Sequence, residues 1–315
     1  MFVYRQFIAD VLIYLYRKRN SKGENYLVNY NSSAGGDYMN KKKIHVWLSV
    51  GIVIAALWSM DVRLKTVTYA VKTDKVDKKV RIALLTDLHG CWYGKQQKNL
   101  IKAVERANAD VVLLGGDIFD DEVPYEKSEI TVEQLAKKYP CYYVTGNHEY
   151  WSNDIDSILE IVEKCGVKTL SGTCDTIELQ GETICICGID DPDVDTYTKD
   201  GIGLKEQLEK AEKAADQEHF TVLLSHRPEL AEMYQKYKFD LVLSGHAHGG
   251  QWRIPGILNG LFAPNQGILP KYAGGRYDFE GQTLIVSRGL ARESTLAPRI
   301  FNRPELVIIE LGPEG

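Results

Sequence analysis

From residue 79 onward, short apolar runs alternate with stretches whose apolar residues recur every three or four positions, the pattern of strands layered with helices. The runs at 80–86, 111–114, 141–145, 220–225 and 241–244 read as strands. Between them, 99–108 places Leu100, Ile101, Val104 and Ala107 on one helical face, and 155–164 does the same with Ile158, Ile161 and Val162. Gln180-Gly181-Glu182 joins 176–179 to 183–187 as a hairpin, 201–216 reads as a charged, solvated helix, and the tail adds strands at 283–286 and 306–311. With no internal repeat, one α/β body over 79–315 accounts for the pattern, preceded by a linker at 61–78.

Ahead of that body, residues 44–60 form seventeen positions without a formal charge, directly after Lys41, Lys42 and Lys43. A helix of about 17–25 apolar residues crosses the roughly 30 Å hydrocarbon core of a bilayer. Trp47 and Trp58 lie near the two ends of the run, where indoles favour the interface. The expectation is a single transmembrane signal anchor, with the lysines cytoplasmic and the body extracytoplasmic. Residues 1–43 are read as a basic N-terminal extension without a fold of its own.

Charge sharpens this division. The chain carries −5 overall, but residues 1–43 hold eight Lys/Arg against three Asp/Glu, leaving 30 against 40 in the remainder. An acidic body without a basic stripe excludes a nucleic-acid backbone as the main partner, whereas a basic segment beside an apolar run suits a membrane surface. The six cysteines show neither C-x-x-C nor zinc-finger spacing, and Cys185 and Cys187, two apart on a strand, are poor partners for each other.

The unusual polar residues fall at strand ends. Asp87-Leu88-His89 ends the first strand, Gly115-Gly116-Asp117-Ile118-Phe119-Asp120 the second, and Gly146-Asn147-His148-Glu149 the third; Ser225-His226-Arg227-Pro228 and Gly245-His246-Ala247-His248-Gly249-Gly250 end two later ones. Five of the seven histidines occupy these ends. Ligands of open α/β sheets bind outside the carboxyl ends of the strands, so the five blocks converge on one crevice. Asp87/His89 and His246/His248, each at i and i+2, project to one side in extended backbone. Each block alone is weak, because a strand-end histidine is usually structural, Asp117 could cap a helix, and Gly-Asn-His-Glu could be a turn. Five in order at strand ends are not. Arg227, Arg288, Arg292 and Arg303 are candidate phosphate contacts, each equally able to serve a structural ion pair. The apolar, Gly- and Pro-containing stretch 252–277 is either a packed loop or a wall beside the site.

The ordered blocks DLH, GGDIFD, GNHE, SHRP and GHAHGG resemble the calcineurin-like metallophosphoesterase superfamily, and the match runs from about residue 80 to the C-terminus. Gly250-Gln251, Tyr272, Gly275, Tyr277, Ser287-Arg288-Gly289-Leu290 and Phe301-Asn302-Arg303-Pro304-Glu305 are similar to its membrane-associated branch, which includes a cell-wall-associated bacterial phosphoesterase and UDP-2,3-diacylglucosamine-type hydrolases. The resemblance implies a layered β-sandwich flanked by helices. It also implies two divalent cations, Mn²⁺ first and Fe or Zn²⁺ next, and hydroxide attack directly on phosphorus. Asp87, His89 and His248 would hold the first cation, Asn147, His226 and His246 the second, and Asp117 would bridge them. His148 would stand near the leaving group, oriented by Asp120. The implied substrate is a phosphorylated small molecule or a lipid-linked phosphodiester or diphosphate. A phosphomonoesterase or phosphoprotein phosphatase, and a non-catalytic envelope-binding protein stapled by metals, are the other readings.

Overall fold

The apolar runs become strands of two sheets that share one interior. In the computed structural model, which describes residues 44–51, 54, 58–199, 201–292 and 298–313, the chain divides into a unit ending at Ile54 and a body from Ala55. The extension expected at 1–43 and residues 52, 53 and 55–57 of the apolar run lie outside the described residues. In the first unit, residues 44–51 are helical and exposed. Among the described residues no helix is long and apolar enough to cross a membrane.

The first sheet contains β1 (Lys65–Thr73), β2 (Val80–Leu85), β3 (Val111–Gly115), β4 (Cys141–Val144), β5 (Lys168–Thr169) and β14 (Glu305–Pro313), in the order β1-β14-β2-β3-β4-β5. The second contains β6 (Thr173–Leu179), β7 (Glu182–Gly188), β8 (Phe220–Leu224), β9 (Leu241–Ser244), β12 (Gly275–Phe279) and β13 (Gln282–Val286), in the order β12-β13-β9-β8-β7-β6. A short ribbon pairs β10 (Phe262–Ala263) with β11 (Gly267–Ile268). Pairing is parallel from β2 to β5 and from β7 through β9 to β13. All the predicted strands are present.

Alternation along each strand builds the layers. Val80, Ile82 and Leu84 face the shared core with Val111, Leu113, Ile186, Val222, Leu243 and Ile285. Ala83, Leu85, Val112 and Leu114 face outward onto α1 (Lys98–Arg106), α2 (Glu126–Ala136) and α4 (Ile155–Lys164), through Leu100, Val104, Val132 and Ile158. The second sheet is covered by α6 (Leu204–Ala214) and α7 (Ala231–Tyr234), while α3 (Asn147–Trp151) and α5 (Val194–Tyr197) are single turns. The outcome is helix, sheet, sheet, helix: the expected sandwich flanked by helices.

Two expectations need correction. Residues 65–73, assigned to a linker, form β1, which runs parallel to β14 at the edge of the first sheet. The hairpin turn is Gln180-Gly181 alone, both at positive φ (56° and 82°), so Glu182 belongs to β7. The expectation that Cys185 and Cys187 do not pair is met: Cys187 is bonded to Cys174, its opposite number on β6, and Cys185 is free.

Candidate metal centre

Five strands deliver the motif blocks to one edge of the sandwich, where the carboxyl ends of the two sheets meet. Asp87 and His89 follow β2, Asp117 follows β3, Asn147 opens α3 after β4, His226 follows β8, and His246 and His248 follow β9. All seven side chains are buried. Asp87, His89 and His248 bring ligand atoms within 4.8 Å of one another, and Asp117, His226 and His246 form a second such group. Asp117 lies between them, its Oδ2 3.0 Å from His226 Nε2 and 3.6 Å from His89 Nε2.

Asp87, His89, Asp117, His246 and His248 all have positive φ, between 46° and 62°. Left-handed backbone costs an ordinary residue about 1–2 kcal/mol and reverses the chain within one or two positions. It also changes the i, i+2 expectation. His246 and His248 are not in extended backbone, and they join different groups instead of facing the same way. Neighbouring glycines make the turns possible. A Cβ on Gly146 would stand 2.2 Å from Asp117 Oδ1, and one on Gly245 2.6 Å from Asp87 Oδ2.

Each imidazole has one nitrogen occupied and the other turned to the cluster. His89 Nδ1 meets Asp120 Oδ2 at 2.7 Å, His226 Nδ1 meets the Gly115 carbonyl at 2.9 Å, and His246 Nε2 meets Asn265 Oδ1 at 2.9 Å. His248 Nδ1 is 3.4 Å from Arg299, leaving Nε2 3.8 Å from Asp87. Such partners fix the tautomer and aim of metal-binding histidines. Asp87 Oδ2, His89 Nε2 and Asn147 Oδ1 are buried and make no hydrogen bond. Orphaned polar atoms of this kind are costly unless a cation claims them. The donor set of imidazole, carboxylate and amide oxygen, without thiolate, fits first-row divalent ions such as Mn²⁺, Fe²⁺ or Zn²⁺.

Electrostatics divides the four imidazoles, raising His89 and His226 and lowering His246 and His248. Burial disfavours the Asp117 carboxylate, but His226 and then His89 overcome this and hold its carboxyl well below the usual range. Burial also opposes charge on His226, yet Asp117 and Asp87 raise its imidazole to about 10. Burial, reinforced by the charge on His226, holds His246 well below its ordinary value; burial and His89 do the same for His248. Two imidazoles therefore keep free lone pairs, which metal ligation requires.

The structure moves one assignment. Asp120 holds His89, and it lies 3.6 Å from His148 Nδ1, whereas Asp121 Oδ1 lies 2.5 Å from that nitrogen. The carboxylate bonded to His148 is thus that of Asp121, while Asp120 bonds the His89 ring. His148 itself is half-buried, stacked edge-on to His89 with ring centroids 4.4 Å apart.

Glu149 had been given no role. It is fully buried and accepts backbone N–H groups from Gly146 at 2.8 Å, Asp117 and Ile118 at 2.9 Å, and Phe119 at 3.0 Å. It thereby clamps the Asp117 turn to the start of α3. The available signal was its place as the third residue of a helix opening after glycine, where a carboxylate reaches back to the chain. Of the four arginines, Arg227 is buried and held bidentately by Asp191 at 2.5 and 2.8 Å, with Nη1 3.4 Å from His246 Nε2. Arg288 pairs with buried Glu305, Arg292 lies over the Tyr93 ring, and Arg303 binds the Arg63 and Leu64 carbonyls.

A sandwich with two adjoining cation-ready groups, one carboxylate between them and a histidine alongside defines the class of dinuclear metal-dependent hydrolases. Residues 80–250, more than half the chain, match the family model for calcineurin-like phosphoesterases, and the chain belongs to that metallophosphoesterase family. It is 31% identical over 246 residues to an uncharacterized metallophosphoesterase of Helicobacter pylori, an alignment covering 77% of this chain and 62% of the relative. It is 29% identical to an uncharacterized metallophosphoesterase of Aquifex aeolicus, over 80% of this chain and 93% of that one. A Danio rerio relative named as a transmembrane protein with metallophosphoesterase domain is 31% identical, over 59% of this chain and 44% of that one. The chain thus spans between under half and about three-fifths of the length of the first relatives it matches.

Proposed function

We propose that the chain is a membrane-anchored phosphodiesterase or diphosphate hydrolase acting on a lipid-linked or envelope substrate, of which UDP-2,3-diacylglucosamine is the model. Asp87, His89 and His248 would hold one divalent cation and Asn147, His226 and His246 the second, with Asp117 in reach of both. The pair of cations supplies Lewis acidity toward phosphate oxygens and an activated water at neutral pH. The chain's own residues do the rest. Asp120, the Gly115 carbonyl and Asn265 keep three imidazoles in their ligating tautomers, and Glu149 fixes the bridging carboxylate. His148, outside both groups and backed by Asp121, gives a proton to the departing oxygen, a role typically worth about 10²–10⁴-fold.

The observation that carries this reading is Asp117 Oδ2 lying within 3.6 Å of ligand nitrogens from both groups. The membrane part draws on the apolar run at residues 44–60 and on relatives named as transmembrane proteins. The test offers the full chain, loaded with Mn²⁺ in detergent, bis-p-nitrophenyl phosphate, p-nitrophenyl phosphate and a UDP-linked diacyl lipid. Faster cleavage of the diester and the lipid diphosphate than of the monoester is expected. A monoester preference sinks the diesterase reading, and no cleavage by metal-replete protein sinks the enzymatic one.

A further inference from the structure

Outside the metal centre, the most unusual surface of the body is the segment that follows His248. Within residues 252–269 six large apolar side chains are exposed: Trp252, Ile254, Ile257, Phe262, Ile268 and Leu269. Ile257, Ile268 and Leu269 are 84%, 75% and 65% accessible. They are held out by structure of their own. Ile254 pairs with Leu258, and Phe262 lies opposite Ile268 across the β10–β11 ribbon. Leu269 sits at φ 56°, a conformation that a bulky residue adopts only when its surroundings impose it. Apolar surface displayed on an ordered ribbon marks an interaction face.

Three observations identify what meets that face. First, charge: no Asp or Glu occurs between Asp240 and Asp278, although acids outnumber bases by ten (40 to 30) over residues 44–315. Within that gap Arg253, Lys271 and Arg276 are cationic; Lys271 pairs with Glu232 at 3.1 Å, Arg276 with Asp278 at 2.7 Å, and Arg253 donates to Asn259. Second, tethering: Trp58, near the end of the apolar run, stacks edge-on against Phe301 at 5.8 Å, and Ser59 O accepts the Phe301 N–H. The preceding residue, Ile300, bridges to Trp252. Trp58 and Ser59, residues of the body, are thus seated at the root of the exposed ribbon, and Trp58 is itself exposed. Third, the ribbon is tied to the chemistry, since Asn265 Oδ1 meets both His246 Nε2 and Arg227 Nη1 at 2.9 Å.

We infer that residues 252–269, together with Trp58, form a bilayer-dipping collar that seats the metal centre at the surface of an anionic membrane. This rests on the membrane-anchored reading above and deepens it. An anchor ending at residue 60 would hold this face against the lipid. The apolar tips enter the acyl boundary while flanking cations meet headgroups, the division of labour of interfacial segments. A lipid-linked diphosphate then reaches His246 and Arg227 without leaving the bilayer.

The test uses the full chain reconstituted into vesicles of phosphatidylcholine with phosphatidylglycerol. In wild type, brominated acyl chains quench a tryptophan component that is missing from Trp252→Phe. In the triple variant Ile257→Glu/Ile268→Glu/Leu269→Glu, turnover of a vesicle-borne UDP-linked lipid falls by about tenfold or more, while turnover of soluble bis-p-nitrophenyl phosphate is unchanged. Quenching equal in wild type and Trp252→Phe overturns the inference, as does an unchanged ratio of vesicle to soluble turnover. Trp252 shielded instead by a second copy of the chain also overturns it. A chain that fails to float with vesicles refutes the anchor, and with it the collar. A chain that floats but shows no Trp252 quenching refutes the collar alone.

Discussion

Replacing Glu149 with glutamine keeps shape and volume but exchanges one carboxylate oxygen for an amide. Four backbone N–H groups converge on the native side chain. The glutamine oxygen can keep the pair at Ile118 and Phe119, and its amide then faces the N–H groups of Asp117 and Gly146, donor against donor. Each buried donor left without a partner costs about 1–3 kcal/mol. Two of them, less some relief from local shifts, give about 3 kcal/mol. For a body of this size that lowers Tm by about 6–12 °C. The damage lies in the turn that aims Asp117, so metal affinity should fall as well, by about 10–100-fold. Calorimetry of chelated protein reads the first effect, and titration of the chelated protein with Mn²⁺ reads the second. Glu133→Gln, which breaks only an exposed pair with Lys137, serves as control and should stay within about 0.5 kcal/mol of wild type. A metal-free Glu149→Gln protein melting within about 2 °C of wild type would refute the clamp, because fewer than one donor would then have been orphaned.

The other predictions address the centre directly. Asp117→Asn should cut kcat by more than about 10²-fold, and retained turnover would remove Asp117 from the shared position. His148→Ala should keep full metal content while losing about 10²–10⁴-fold in kcat. Asp121→Asn should reproduce part of that loss without touching metal content, whereas Asp120→Asn should weaken metal binding about 10–100-fold; elemental analysis beside steady-state kinetics separates the two. Gly146→Ala places a Cβ 2.2 Å from Asp117 Oδ1, so overpacking of about 1–3 kcal/mol should appear as a lower Tm and lower metal affinity. Chelation of wild type should itself lower Tm by about 5–10 °C, since binding at 100 times Kd contributes about 2.7 kcal/mol.

What could be read in the sequence was whatever announces itself by unbroken apolarity or by rare side chains. β2, β3, β8 and β9 are buried throughout or nearly so, and their apolar runs stand out. β1 escaped because it is an edge strand, in which exposed lysines and threonines dilute the inward positions. α2 escaped because its buried face includes Ser128 and Thr131 beside Val132 and Leu135. Ser128 is satisfied by donating to the Ile118 carbonyl, a long-range partner that no local pattern reveals. The same limit applies at the site. The ligand candidates were legible because histidines are few and fall at strand ends, but the groups that orient them were not. Asn265 reaches His246 from nineteen positions away and Arg299 reaches His248 from fifty-one, distances set by the tertiary fold alone. Asp120 and Asp121 are adjacent, and only the direction of the turn decides which imidazole each receives.

The five left-handed residues of the centre explain why such an arrangement needs both sheets. At about 1–2 kcal/mol each, their backbone strain amounts to roughly 5–10 kcal/mol, comparable to the whole stability of an ordinary domain. Hydrogen bonds between the turns offset it: Asp87 N–H to Gly116 O, His89 N–H to Asp117 O, Gly245 N–H to His226 O and His246 N–H to Asp87 Oδ1. The first two bonds join turns of one sheet, the third joins turns of the other, and the last crosses between them. Each of these turns is bonded to a neighbouring turn, so the positions of the ligands depend on one another. Strain in the ligand turns and unpaired atoms at Asp87, His89 and Asn147 then have one physical account, a site whose geometry the backbone bonds hold in a form fit for cations.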